Sequence, residues 1–344
     1  MDSFAAHLSD LKDKTVLLRC NFDVPIAKGK VVDTTRIEDA VKSLRLLQEH
    51  SIKTIIIAHL GRPDGVYNSE FSLQPIVPVL EELLQQKIGL LDYHKDVSQI
   101  KALINTHSES MLLLENVRFW SGEEDNNEDF ATKLSQLGDV YINECFATSH
   151  RKHASMVGLP QLLPHYAGVA LSQEIDTLNR VKHHPEHPFV VVIGGAKLET
   201  KEPLVNAFVN TADKILVGGK VAFDLKLHPE PLPANVVLAD TEPHGKDITK
   251  ASAEQFATII NEAALVVWNG AMGVFEEDQY ALGTKIVGKA MTETPGFSVV
   301  GGGDTETALT QFNLESGIDF ISTGGGAMLE YLTQSTLPAL EALE

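Results

Sequence analysis

Val299–Thr305 reads Val-Val-Gly-Gly-Gly-Asp-Thr, an apolar run ending in three glycines and an acid, before a helical pattern over Thr305–Phe312. Glycines at such a junction let backbone N–H groups approach a phosphate with no Cβ in the way. An aspartate beside them offers a carboxylate to a hard cation such as Mg2+. Ile321–Gly326 repeats the device as Ile-Ser-Thr-Gly-Gly-Gly. Ile193-Gly-Gly-Ala-Lys197, Val217-Gly-Gly219 and Trp268-Asn-Gly270 also close apolar runs. Five such endings in one half of the chain exceed what ordinary loops require.

The other half is marked by arginine. Arg19, Arg36, Arg45, Arg62, Arg118, Arg151 and Arg180 are the only arginines, and none lies beyond residue 180. Arg19, Arg62, Arg118 and Arg151 fall at or just past the end of an apolar run. The guanidinium fork grips carboxylate and phosphate bidentately, which lysine cannot do, so these four are expected to share an anion site.

The elements that must position these residues follow from periodicity. Thr15–Arg19, Thr54–Ala58, Ile88–Leu91, Leu112–Leu114 and Val140–Asn143 read as strands, most of them buried. Thr35 and Glu38 form a capping box for a helix reaching about His50. Leu73–Gln86, Val97–Thr106 and Asp129–Leu137 read as helices, and Phe146–His153 as a loop. A linker is expected at Pro160–Pro164, then a connecting helix over Gly168–Lys182. Later strands are expected at Phe189–Ile193, Lys214–Val217, Asn235–Ala239, Leu265–Trp268, Ser298–Val300 and Phe320–Ser322. Helices are expected at Pro203–Thr211, Ala251–Ala264, Tyr280–Met291, Thr305–Phe312 and Ala327–Gln334. Strand and helix alternating throughout predict an α/β fold with parallel sheets covered on both faces. Ligands then bind beyond the carboxyl ends of the strands, where nearly every residue above lies. One rim suits a small polyanion; the other, with Lys197 and Lys201, suits nucleotide phosphates and a metal.

At 344 residues the chain calls for two domains. A net charge of −19 argues against a broad nucleic-acid or anionic-membrane surface. No apolar run has the length of a membrane span, and Met1-Asp-Ser-Phe lacks a signal pattern. Cys20 and Cys145 alone suggest a reducing, cytoplasmic setting. The tract His183–His187 reads as a solvated linker rather than a metal site, and Glu123–Glu128 as an exposed acidic loop. His150 and His153 read as anion-site or packing residues.

These residues resemble the phosphoglycerate kinase family along nearly the whole chain. The motifs are His59-Leu-Gly-Arg-Pro, Leu114-Glu-Asn-Val-Arg118-Phe, Thr148-Ser-His-Arg151-Lys-His-Ala-Ser, Gly194-Gly-Ala-Lys197, Trp268-Asn-Gly-Ala-Met-Gly-Val-Phe-Glu276, Gly301-Gly-Gly-Asp-Thr305 and Ser322-Thr-Gly-Gly-Gly-Ala327. The resemblance implies two Rossmann-like three-layer (αβα) domains with a connecting helix and hinge. Their spans are residues 1–164 for the phosphoglycerate lobe, 165–182 for the helix and 183–328 for the nucleotide lobe. Residues 329–344 then pack back on the first lobe. It also implies a monomer that moves a phosphoryl group between 1,3-bisphosphoglycerate and ADP with Mg2+.

By the same resemblance Asn21, Phe22, Asp23, Arg36, His59, Leu60, Gly61, Arg62, Arg118 and Arg151 surround the phosphoglycerate, Arg36 at the acyl-phosphate end. Gly195, Lys197, Lys201, Gly218, Gly219, Asn269, Glu276, Gly302, Gly303, Asp304 and Thr305 serve the nucleotide. Asp304 holds the metal, and Glu276 accepts a ribose hydroxyl. Arg36, Lys197 and Gly325 assist the transfer, with amides of Gly302–Thr305 and Gly324–Gly326 cradling phosphates. Such catalysis works by positioning and charge neutralisation.

Three departures stand out. The family order Asp-x-Asn is reversed here as Asn21-Phe-Asp23. Lys220 and Ala271 replace a glycine and a proline, and Ala147 a glycine. The stretch Val221–Ala251 is short, reduced to Leu227–Pro233 and Thr241–Lys246 where a base pocket is normally walled. A divergent homologue of weak activity, or one acting on another phosphorylated acid, is therefore the second reading. A nicotinamide dehydrogenase is third, disfavoured because no Gly-x-Gly-x-x-Gly follows the first strand.

Overall fold

A computed structural model describes residues 1–94, 96–227 and 231–344. The chain divides into two compact units, Met1–Ile175 with Thr336–Glu344, and Asp176–Ser335.

In unit 1, strands β1 (Thr15–Arg19), β4 (Lys53–Ile57), β5 (Gly89–Leu91), β6 (Met111–Leu114), β7 (Val140–Asn143) and β8 (His165–Ala167) form a parallel sheet in the order β5-β6-β4-β1-β7-β8. A hairpin of β2 (Ile26–Ala27) and β3 (Lys30–Val31) precedes helix α1 (Thr35–Glu49). Helices α2 (Val77–Leu84), α3 (Ile100–Ile104), α4 (Glu128–Ser135) and α5 (Leu159–Leu162) follow. The strands are apolar on both faces because both are covered; Leu18, Ile56, Leu113 and Ile142 pack with Ile37, Leu44 and Leu80 in one buried cluster.

Helix α6 (Val169–His183) contains the division between the units. Unit 2 holds strands β9 (Phe189–Ile193), β10 (Lys214–Val217), β11 (Val236–Leu238), β12 (Leu265–Asn269), β13 (Phe297–Gly301) and β14 (Phe320–Ser322), parallel in the order β11-β10-β9-β12-β13-β14. Its helices are α7 (Leu198–Phe208), α8 (Gly219–Leu227), α9 (Lys250–Asn261), α10 (Leu282–Glu293), α11 (Gly303–Phe312) and α12 (Gly325–Thr333). Val192, Trp268, Phe256 and Val300 belong to its core. The last helix, α13 (Pro338–Glu341), belongs to unit 1: Ala339 N–H donates to Ser149 O at 3.0 Å, and Ala339 packs with Cys145, Met156 and Val157. Residues returning to unit 1 begin at Thr336, since α12 stays with unit 2.

In both sheets the chain leaves the central strand to one side and returns on the other, so β1/β7 and β9/β12 are the points where strand order reverses. Such crevices at strand carboxyl ends are where α/β sheets take ligands.

Several local expectations are corrected. Thr35 does not cap α1; the Oδ1 of Asp33 accepts from Thr35 N–H at 2.9 Å, while Thr34 Oγ1 donates to Glu38 at 2.5 Å. No capping box forms, since the N-cap residue Thr34 makes no side-chain bond to a first-turn N–H. Leu73–Gln86 is helical only from Gln74, because Pro75 and Pro78 confine its start to a 3-10 turn followed by α2. The Pro160–Pro164 linker is replaced by α5 and edge strand β8, whose backbone pairs with β7. The expected remnant Leu227–Pro233 falls partly on residues 228–230, outside the described residues; α8, unforeseen, occupies Gly219–Leu227.

Candidate active site

The carboxyl edge of the unit 1 sheet carries its chemistry. Past β1, Asn21 accepts the Asp23 N–H on its Oδ1 at 3.4 Å. Asp23 in turn accepts Gly61 N–H on Oδ1 at 2.9 Å and the Arg36 guanidinium on its backbone oxygen at 2.5 Å. Gly61 lies at φ +60, with a Cβ position filled by the Phe71 ring, so no other residue fits this turn. Arg118 Nη1 donates to Gly61 O at 2.8 Å, and its Nε stands 3.3 Å from Glu124. One polar chain therefore ties Asn21, Asp23, Arg36, Gly61 and Arg118 together. Arg62 is exposed and Arg151 partly so, and among the described residues neither guanidinium has a hydrogen-bond or ion-pair partner, Arg151 bonding only through its backbone N–H to Thr148 O at 3.0 Å. Two guanidinium groups without side-chain partners beside a rigid polar loop have the chemistry to take an anion.

Behind them lies a layer the sequence reading missed. Arg19 is fully buried. Its Nε donates to Ser155 Oγ at 2.8 Å, Nη1 to Cys20 O at 2.5 Å and Nη2 to His59 Nδ1 at 3.1 Å. It supports the rim and does not join Arg62, Arg118 and Arg151 on an anion. Glu123, expected in an exposed loop, is also fully buried, accepting Ser155 N–H and Oγ–H at 2.9 and 2.6 Å. Burial pushes its carboxyl up, against the pull of Arg19 and Ser155. His59 is 2% exposed; burial, then Arg19 and Arg118, push its pKa well below the usual histidine range. His153 is pulled down to about 3, first by burial and then by Arg118 and Arg19. Phe22 and Leu60 have their side chains in the apolar core, leaving only their backbones for a ligand.

Unit 2 builds its rim from main chain. Gly194 N–H donates to Asn269 O at 2.9 Å and Gly195 N–H to Ala271 O at 2.8 Å, stitching the β9/β12 crevice. Side chains cannot enter: Gly195, Gly219, Gly270 and Gly302 all have positive φ. A Cβ on Gly325 would stand 2.8 Å from Gly302 Cα. Helices α7, α8, α11 and α12 begin here, presenting first-turn N–H groups and positive dipole ends. Lys197 is exposed at the start of α7. Lys201 donates to Asn269 Oδ1; burial lowers its pKa, opposed by Asp304. Asn269 Nδ2 reaches Gly301 O at 2.6 Å, so Asn269 holds Lys201 to the β13 turn. Thr305 is fully buried, its N–H bound to Gly302 O at 2.8 Å and its hydroxyl accepting Gly270 N–H at 2.7 Å. Its amide therefore cannot cradle a phosphate as expected.

A cavity of about 240 Å³ opens beside this rim. Gly195, Gly219, Lys220, Ala271, Glu276 and Asp304 line it, with His244 and Lys246 from the short segment. Gly218 lies one residue behind it, against Met272. Lys220 pairs with Asp224 at 2.6 Å. The exposed Asp304 carboxylate has no hydrogen bond or ion pair among the described residues. Among those residues no group of three or more His, Cys, Asp or Glu could hold a metal. One free carboxylate beside helix N-terminal amides would fit a cation carried in with a nucleotide. His187, in the histidine tract, binds Asp213 at 2.6 Å.

One αβα unit thus carries a strand edge lined by arginines and the other a strand edge lined by glycines, the features of a two-unit α/β phosphotransferase. The sequence profile of "Phosphoglycerate kinase" matches residues 6–231 and 228–335, the seam falling in the shortened stretch. Phosphoglycerate kinases of Pseudothermotoga lettingae and Borreliella burgdorferi are 34% and 33% identical, over 97% and 98% of this chain and 96% and 98% of theirs. Among solved structures, that from Pyrococcus horikoshii aligns with a TM-score of 0.85 at 29% identity, covering 100% of this chain and 98% of its own. That from Coxiella burnetii gives 0.84 at 29%, covering 97% and 96%. The chain belongs to the phosphoglycerate kinase family.

Proposed function

We propose that the protein catalyses reversible phosphoryl transfer from 1,3-bisphosphoglycerate to ADP, giving 3-phosphoglycerate and ATP. The observation that carries this is the pair Arg62 and Arg151, guanidinium groups without partners among the described residues at the strand ends of unit 1. With Arg118 they would hold the non-reacting phosphate, and Arg36 the acyl-phosphate end. In the direction of ATP consumption a carboxylate oxygen of 3-phosphoglycerate attacks the γ-phosphorus, and the bond to the ADP oxygen breaks. Lys197 and the amide at Gly325 would neutralise the group in transit, and Lys201 the nucleotide phosphates. Exposed Glu276 would accept a ribose hydroxyl. Mg2+, bound by Asp304 and the phosphates, would supply charge neutralisation. Each charge-assisted bond of this kind is worth about 1.5–3 kcal/mol.

The enzyme would act as a cytoplasmic monomer, unit 1 taking the sugar acid and unit 2 the nucleotide. Among the described residues no helix is long and apolar enough to cross a membrane. The exchanged pair Asn21/Asp23 supports a second reading, a preference for another phosphorylated acid, since the Asp23 carboxylate is occupied by Gly61. A coupled assay with 3-phosphoglycerate, ATP and Mg2+ tests the first. Turnover absent with 3-phosphoglycerate but present with another phosphorylated carboxylic acid would install the second.

A further inference from the structure

The buried layer behind the unit 1 rim fixes the state of one ligand-site group. We propose that Arg19 is a positioning residue for His59. Clamped by Ser155 and Glu123, its guanidinium donates to Nδ1 and confines the ring to the neutral tautomer whose only proton is on Nε2.

The argument is one of donors and acceptors. A guanidinium has five N–H donors and no acceptor. Nη2 of Arg19 lies 3.1 Å from His59 Nδ1, so Nδ1 must present its lone pair. An imidazolium would turn an N–H against the cation instead. Arg19 cannot swing away, because Nε is held by Ser155 Oγ at 2.8 Å and Nη1 by Cys20 O at 2.5 Å. Ser155 is itself fixed, its hydroxyl donating to Glu123 Oε1 at 2.6 Å and its carbonyl accepting Tyr141 Oη–H at 2.7 Å. Glu123 Oε1, 3.9 Å from Nη2, supplies the counter-charge for a guanidinium that has no exposure of its own. The charges facing His59 come from Arg19 on β1, Arg36 on α1 and Arg118 after β6, with neutral His153 beyond. The rim carboxylate of Asp23 and the buried one of Glu123 are taken by Gly61 and Ser155. Burial and these cations push the imidazole in the same direction.

His59 therefore gives the site a hydrogen-bond donor without charge, suited to an uncharged ligand oxygen. Charge recognition is left to the arginines. Only the ligand's identity rests on the proposed function; the tautomer belongs to the free protein.

Histidine 15N chemical shifts of the full chain, with His59 assigned through His59→Gln, are the test. The expected result is a bare Nδ1 and protonated Nε2, unchanged between about pH 5 and pH 8. A protonated Nδ1, or an imidazolium appearing in that range, would overturn the inference. Arg19→Lys is expected to give mixed tautomers and to raise the KM for 3-phosphoglycerate about fivefold to tenfold, leaving the ATP KM unmoved. An Arg19→Lys spectrum identical to the parent would count against the inference. Where Arg19→Lys fails to fold, Ser155→Ala, which frees Nε, should shift the same resonances. A ring held as described in a protein inert toward phosphoglycerate would uphold the inference and strike the functional reading.

Discussion

The two units reverse strand order at equivalent points and fill them in opposite ways. At β1/β7 the crevice holds buried side chains: Arg19, Asn143 and Glu144, with Glu123 and His59 close by. At β9/β12 it holds glycine, with Gly194 and Gly270 too tightly stitched to admit a Cβ. Recognition by side chains needs a scaffold of satisfied polar groups behind it, since each one left unpaired costs about 1–3 kcal/mol. Recognition by main chain needs the removal of side chains and helices started at the right place. The first manner can read a particular small acid; the second grips any phosphate chain of the right length.

That contrast is best attacked at its largest expected effect. Lys197→Ala should lower kcat about 100- to 1,000-fold, as loss of transition-state charge stabilisation does, with 3-phosphoglycerate affinity by calorimetry unchanged. Unchanged turnover would move the catalytic cation out of unit 2.

Next comes the side-chain crevice itself. Glu144 accepts Ser43 Oγ–H at 2.5 Å and the first-turn amides of Ala170 and Leu171 in α6. Burial raises it from 4.5 to about 7. The folded chain thus keeps a proton that the unfolded chain releases. Its contribution is full below about pH 4.5 and lost as pH rises through about 7, on the order of 3 kcal/mol. Urea unfolding across this range should show a slope that Glu144→Gln flattens; parallel curves would refute it. Asp247, raised to about 6 where it accepts the Gly283 N–H in the first turn of α10, should give a comparable loss of the same sign in a lower window, from about pH 4 to about pH 6.

Arg62→Ala and Arg151→Ala should each weaken 3-phosphoglycerate binding about 10- to 100-fold and leave the melting temperature unmoved. Arg118→Ala should also lower the melting temperature, because it releases Gly61 O. A stability loss at Arg62 would blur the division between rim and scaffold. Gly325→Val should weaken nucleotide binding at least about tenfold while sparing the sugar acid, since the backbone of Gly302 cannot yield. Smallest is base choice. With His244 and Lys246 on the pocket wall, ADP and GDP rates should differ by less than about tenfold; a strong ADP preference would show the short segment reads the base.

Much of this architecture was legible from residue pattern, because buried parallel strands announce themselves. Thr15–Arg19, Val140–Asn143, Phe189–Ile193, Lys214–Val217 and Phe320–Ser322 match their observed bounds. What failed was local or long-range. Strand β8, His-Tyr-Ala, has no apolar run and exists only because β7 offers an edge. The β2/β3 hairpin turns on Lys28 and Gly29, both at positive φ, a Lys-Gly signal weaker than Asn-Gly. Arg19 looked like a rim arginine because strand position says where a side chain starts and not whether it turns inward. Glu123 sat in an acidic run, and only Ser155, thirty-two residues later, withdraws it from water. The glycine endings were readable, since tight turns at positive φ are written in composition.

The short α13 has a bearing on biosynthesis. A nascent polypeptide exposes its leading region first, so residues 1–175 emerge well before Thr336–Glu344. The pocket formed by Cys145, Met156 and Val157 must wait, open, until the whole of the intervening unit has been translated. Maturation of the first-made half is thereby tied to a segment made after the whole of unit 2, and a chain terminated before Thr336 would carry that apolar gap uncovered.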